Sequence, residues 1–246
     1  MLSITGDIEI KEAQNLVDRY LGNWTSPEKK PLPVALPRPP EGNVFFLSKD
    51  IPQSILIFGF LAPAKSDSKD YYNFKVLDFI IGSGGLHSRI FQEIRTNMGL
   101  AYSTGSFYNA KSDYGLFGAY AITKSESTTN VTERLRKILR DIGEKLVPPE
   151  DLKMAKRAIH NSFFFSFTSA EQIAFQKLLI EYEGLQDNFL VTYRSKIENV
   201  TAEDIRHTAL NYLAPGKTVI LIIGNEKAYQ DIYANFGKVI RIETSF

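Results

Sequence analysis

Few side chains in this sequence are placed to do chemistry, and the missing types narrow the possibilities first. His87, His160 and His207 are the only histidines, and no two of them lie within four residues, so neither H-E-x-x-H nor H-x-x-E-H is present. The chain has no cysteine, which removes thiolate nucleophiles, thiolate metal ligands and disulfides together. Ser83 lies in Gly82-Ser83-Gly84-Gly85 rather than in a G-x-S-x-G elbow. That glycine run follows a helical pattern and lacks G-K-[ST], so it reads as a tight turn between helices and not as a phosphate cradle. One pair remains. Arg95 and Tyr102 are seven residues apart, across a helix end at Gly99 and into a β-rich run, and such a turn can set a guanidinium and a phenol side by side. Arg89 and Glu93, at i and i+4, read as a helix-surface ion pair.

The elements around these residues follow from periodicity and punctuation. Residues 67–81 read as a helix entered from a Ser/Asp-rich cap and ended by Gly82, Gly84 and Gly85, and residues 86–98 as a second helix with Gly99 as its C-terminal cap. Residues 102–109 and 114–122 form an antiparallel hairpin around Lys111-Ser112-Asp113, and residues 44–47 and 54–61 read as strands. Helical patterns then cover residues 127–146, 149–163, 169–182, 187–197 and 201–213, the last opened by the capping signal Thr201-Ala202-Glu203-Asp204. A strand at 219–223, a short helix at 229–236 and a strand at 239–242 end the pattern.

Residues 2–5 alternate like a strand and run into Gly6-Asp7 and a helical spacing over 8–21. Residues 221–226 repeat the same order, with a strand running into Gly224-Asn225. This internal similarity divides the chain into residues 1–26, the closing strand and helix of a preceding homologous domain, residues 27–42, a linker with six prolines, and residues 43–246, one complete domain. Lys and Arg total 29 against 28 Asp and Glu, a formal net charge of +1 that gives no basis for a nucleic-acid partner, and no apolar run approaches the roughly 20 residues of a membrane helix.

The stretch Gly84-Gly-Leu-His-Ser-Arg-Ile-Phe-Gln-Glu-Ile-Arg-Thr-Asn-Met-Gly-Leu-Ala-Tyr102 strongly resembles the second-domain signature of the pitrilysin, insulinase and mitochondrial-processing-peptidase family of zinc metallopeptidases, G-G-x-x-S-R-L-F-x-x-[IL]-R-x-x-x-G-L-[AG]-Y. Asp50-Ile-Pro-Gln-Ser54, Asn199 to Ile205 and the strand into Gly224 extend the similarity over essentially the whole chain. The resemblance implies an α+β domain of the mitochondrial-processing-peptidase type, a mainly antiparallel sheet packed on one side by several helices. It implies a clamshell partner, a homologous N-terminal domain or subunit that carries H-x-x-E-H and the zinc, while this chain holds no cofactor and is catalytically incompetent alone. By motif position Arg95 and Tyr102 are the residues that reach the peptide substrate, the guanidinium on its carbonyls and the phenol on the developing oxyanion. The rival expectations are a non-proteolytic assembly subunit of the same fold and a stand-alone peptide-binding module.

Overall fold

The structure is a computed structural model that describes residues 1–25, 42–66, 68–226 and 231–243. The proline-rich segment, the Asp67 cap position and Tyr229 lie outside the described residues, apart from Gly42 at the segment's end.

Six strands form one sheet: β1 (Asn43–Ser48), β2 (Gln53–Ala62), β3 (Ala101–Ala110), β4 (Gly115–Lys124), β5 (Thr218–Gly224) and β6 (Lys238–Ile242), in the spatial order β3-β4-β2-β5-β1-β6. β2 pairs antiparallel with β4 and β5, and β3 with β4, whereas β1 runs parallel to both β5 and β6. The expected mainly antiparallel character therefore holds: three of the five pairings are antiparallel, and they join β3, which carries Tyr102, through β4 and β2 to β5. β2 reads Gln-Ser-Ile-Leu-Ile-Phe-Gly-Phe-Leu-Ala, and alternate residues Ser54, Leu56, Phe58 and Phe60 are buried. A period of two in burial means that one face of the sheet is packed and the other is not.

The packed face is covered by α2 (Ser68–Asp78), α3 (Thr128–Glu144) and α7 (Ala202–Tyr212), with α4 (Pro149–Phe164) and α6 (Phe189–Glu198) behind α2. α3 shows why: Val131, Leu135, Ile138, Leu139 and Ile142 recur at helical spacing and are all buried, so one stripe faces the sheet. The caps behave as the sequence implies. Thr201 and Asp204 form a reciprocal capping box on α7, Ser169 accepts the Gln172 N–H at the start of α5 (Ala170–Tyr182), and Pro149 opens α4, where its missing N–H costs nothing.

Three expectations need correction. Residues 2–5 make no strand, because no described strand lies beside them to supply hydrogen-bond partners; only α1 (Ile10–Leu21) forms in the opening segment. The helix over 67–81 changes character at Phe79, where a π-helical turn (Phe79–Ser83) replaces α geometry and Gly84 N–H reaches back to Phe79 O at 3.0 Å. The helix over 86–98 is interrupted: a short 3-10 turn (Gly85–His87) is followed by extended Ser88, and a π-helix (Phe91–Asn97) then carries Arg95.

Candidate functional site

Arg95 and Tyr102 are held by two unusual pieces of backbone. Buried Ser88 starts the first piece, its hydroxyl donating to Gly85 O at 2.8 Å and accepting the Phe91 N–H at 3.4 Å, which is the bonding of an N-cap. Ile90 and Ile94, both fully buried, fasten the helix to the core and leave Arg95 on the outside. The helix ends as its sequence demands: Gly99 has φ of 64°, where an L side chain would be strained, and Leu100 N–H bonds to Ile94 O at 3.0 Å to close the turn.

The second piece is a bulge at the start of β3. Ala101 lies opposite Thr123 and Ser103 opposite Ile122, so Tyr102 is an extra residue without a cross-strand partner. A bulge re-aims its side chain, and β3 is an edge strand, so Tyr102 projects outward and is 77% exposed. The Arg95 guanidinium carbon lies 6.0 Å from the centre of the Tyr102 ring and 4.8 Å from that of Phe91. Neither a carboxylate for Arg95 nor a hydrogen-bond partner for the Tyr102 hydroxyl is present among the described residues. The two groups thus stand together, exposed, with their donors free.

The supporting shell was not legible beforehand. Glu93 pairs with Arg134 of α3 at 2.5 Å, both about one-third exposed, instead of with Arg89. The π-helix explains the exchange of partner, since its wider turn no longer stacks residues i and i+4 as an α-helix does. Behind the site, Ser106 of β3 donates to the Asp78 carboxylate at 2.5 Å, joining the strand that begins at the bulge to the end of α2. Burial raises the Asp78 carboxyl above its ordinary 3.8, with hydrogen bonds from Ser106 and Ser83 and the nearby Lys75 opposing the rise. Gly82 packs so tightly on this strand that a Cβ there would meet Ser106 N at 2.4 Å.

No group of three or more His, Asp or Glu side chains that could hold an ion occurs among the described residues. His87 is exposed, His160 contacts Arg194 O at 3.1 Å, and His207 contacts Asn211 at 3.1 Å.

A family profile described as "Peptidase M16 inactive domain" matches residues 1–159, well over half of the chain and all of the Arg95–Tyr102 segment. The chain belongs to this M16 family. A Rickettsia bellii protein named "Uncharacterized zinc protease" is 29% identical over 229 residues, covering 90% of this chain and 52% of the relative. A Helicobacter pylori relative named "Non-peptidase homolog YmxG" is 27% identical over 186 residues, 74% of this chain and 42% of its own length. Among solved structures, an M16 inactive domain from Pseudomonas fluorescens superposes with a TM-score of 0.77 at 21% identity, over 89% of this chain and 52% of that one. A chain of complex III2 from Candida albicans superposes with a TM-score of 0.64 at 17% identity, over 78% of this chain and 48% of that one. The M16 chain described here spans about half the length of the curated relatives it matches.

Proposed function

We propose that the chain is the substrate-clamping half of a zinc-dependent endopeptidase acting on peptides or unfolded segments, with zinc and H-x-x-E-H on a homologous domain or subunit. The pairing of a free guanidinium with a free phenol on an exposed edge bulge carries this reading. A planar guanidinium suits peptide carbonyls, and a phenol that has no protein acceptor is available to donate to the oxyanion formed beside a metal. Residues 1–26 then end a preceding domain, and the proline-rich segment joins the two.

The test uses the complete protein, with both halves present. Tyr102→Phe lowers kcat for a peptide by about 10²–10³-fold, the usual effect of losing one oxyanion donor, and Arg95→Ala lowers kcat/KM through the lost grip on substrate carbonyls. Both side chains are exposed, so thermal stability stays unchanged. Full activity in both variants would end the assignment. The name of the Helicobacter pylori relative and the likeness to a complex III chain favour a second reading, an assembly subunit with no proteolysis. That reading requires the complete protein to cleave no peptide at any zinc concentration.

A further inference from the structure

Lys69, Tyr72 and Asn73 stand at i, i+3 and i+4 on α2, so they share one face near its start. Lys196 and Asn199 mark the end of α6, and Asp204 lies in the first turn of α7. These three helix ends meet around an open cleft of about 230 Å³ that the six residues line together with Val200. A single water needs only about 10–15 Å³ of such space, so the cleft has room for a group of several heavy atoms. Tyr72 is 2% exposed, and its hydroxyl is shut off from solvent with no hydrogen-bond partner among the described residues. A buried hydroxyl left unpaired is a standing cost to the fold, and it calls for a partner that these residues do not supply.

The charge of the cleft is unbalanced toward donors. Asp204 is its one lining carboxylate, and both of its oxygens are engaged. One accepts from the Thr201 N–H at 3.1 Å and the Thr201 hydroxyl at 2.6 Å, and the other pairs with Lys69 at 3.2 Å. Lys196 has no carboxylate partner among the described residues, and its ammonium rests 5.1 Å from the centre of the Tyr72 ring. Burial pushes the Tyr72 phenol up to about 12, so it stays protonated through neutral pH and is available as a donor. We propose that this cleft binds a small oxyanion, the carboxylate or phosphate group of a ligand, which takes the Lys196 ammonium and the Tyr72 hydroxyl as its principal donors. Hydrogen bonds from such groups to an anion are stronger than those between neutral partners. Lys196 is carried on a flexible four-carbon stem, and its swing from the ring opens the way to the hydroxyl. A bound cation would compete with Lys69 for the only carboxylate, so the donor set selects an anion. The inference is independent of the roles given to Arg95 and Tyr102, which lie on other elements.

The test uses the complete protein, with inorganic phosphate and sodium acetate as separate probes at constant ionic strength. Isothermal titration reads the affinity, and acetylation of lysines by an N-hydroxysuccinimide ester, quantified by mass spectrometry, reads the place. At ten times its dissociation constant the bound anion slows acetylation of Lys196 by about tenfold. Exposed Lys153 on α4 reacts at an unchanged rate. Tighter binding of phosphate assigns a phosphorylated ligand, and tighter binding of acetate a carboxylate ligand. Tyr72→Phe weakens the preferred anion by at least about tenfold, the loss of one hydrogen bond to a charged group, and Lys196→Gln removes binding. Tyr72→Phe melts no lower than the parent, because the hydroxyl it removes has no partner to lose. Four results overturn the proposal: dissociation constants above about 10 mM for both anions, equal protection of Lys153, Tyr72→Phe that binds as tightly as the parent, which indicates an adventitious ion only, or Tyr72→Phe that melts well below it, which indicates a structural hydroxyl.

Discussion

Gly82→Ala tests whether the π-turn is held rigidly against β3. The new Cβ would lie 2.4 Å from Ser106 N, 2.5 Å from its Oγ and 2.6 Å from its Cβ, so the obstacle is strand backbone and not a swinging side chain. Relief requires the turn or the strand to move, which costs about 1–3 kcal/mol as overpacking. It also disturbs the Ser106–Asp78 hydrogen bond, worth about 1 kcal/mol. The combined loss of roughly 2–4 kcal/mol lowers Tm by about 5–15 °C for a domain of this size. Gly118→Ala is the control. There the Cβ meets the ring of Phe107, 2.2 Å from Cζ, but that ring is about half exposed and can rotate outward, so the cost stays under about 1 kcal/mol. Thermal unfolding followed by circular dichroism measures both variants. Gly82→Ala melting within about 2 °C of the parent, or Gly118→Ala falling as far as Gly82→Ala, would refute the argument from backbone contact. The clash also reaches the site: Ser106 is four residues along β3 from Tyr102, about 13 Å of strand. Under the proposed clamping role, Gly82→Ala therefore also reduces peptide cleavage by the complete protein below the level its folded fraction would give.

Asp78→Asn separates charge from packing. Burial raises the folded-state carboxyl above 3.8, so the folded protein is penalised once the unfolded chain ionises near that pH, and the penalty is complete above the raised value. The asparagine variant is thus more stable than the parent at about pH 7, and the gain vanishes as the pH falls below about 3.8; urea midpoints at the two extremes measure it. An equal gain at low pH would contradict the charge argument. Glu93→Gln removes the ion pair to Arg134, at a stability cost under about 1 kcal/mol because the pair is one-third exposed. Under the proposed clamping role it also lowers cleavage by about tenfold through freer movement of the π-helix under Arg95, and unchanged kcat would show that the pair does not position it.

What the sequence disclosed and what it withheld differ in physical origin. Thr201 with Asp204, Ser169 and Pro149 mark helix starts because capping is a contract between neighbours in the chain, so α4, α5 and α7 begin within a residue of the expected positions. Gly99 was equally plain, since only glycine adopts its φ without strain. The π-turns were hidden because they depend on contacts between distant segments: Gly82 lies against Ser106, and Glu93 reaches Arg134 on a helix some forty residues later. The parallel pairing of β1 with β5 and β6 was hidden for the same reason, as alternation shows which face is buried but not which strand lies alongside.

The strand expected at residues 2–5 and the uncovered α5 make one further point. Alternating residues carry the instruction to pair, yet a strand exists only where a neighbouring edge supplies its hydrogen bonds, and no described strand pairs with residues 2–5. α5 similarly carries apolar residues on opposite sides without a body to bury them. Both departures from local expectation have the same sign: the local pattern asks for contacts that the described residues do not supply. Arg95 and Tyr102 fit that pattern, their donors free and without acceptors among the described residues. An uncovered helix and a pair of exposed functional side chains are the features that the proposed two-part arrangement would require.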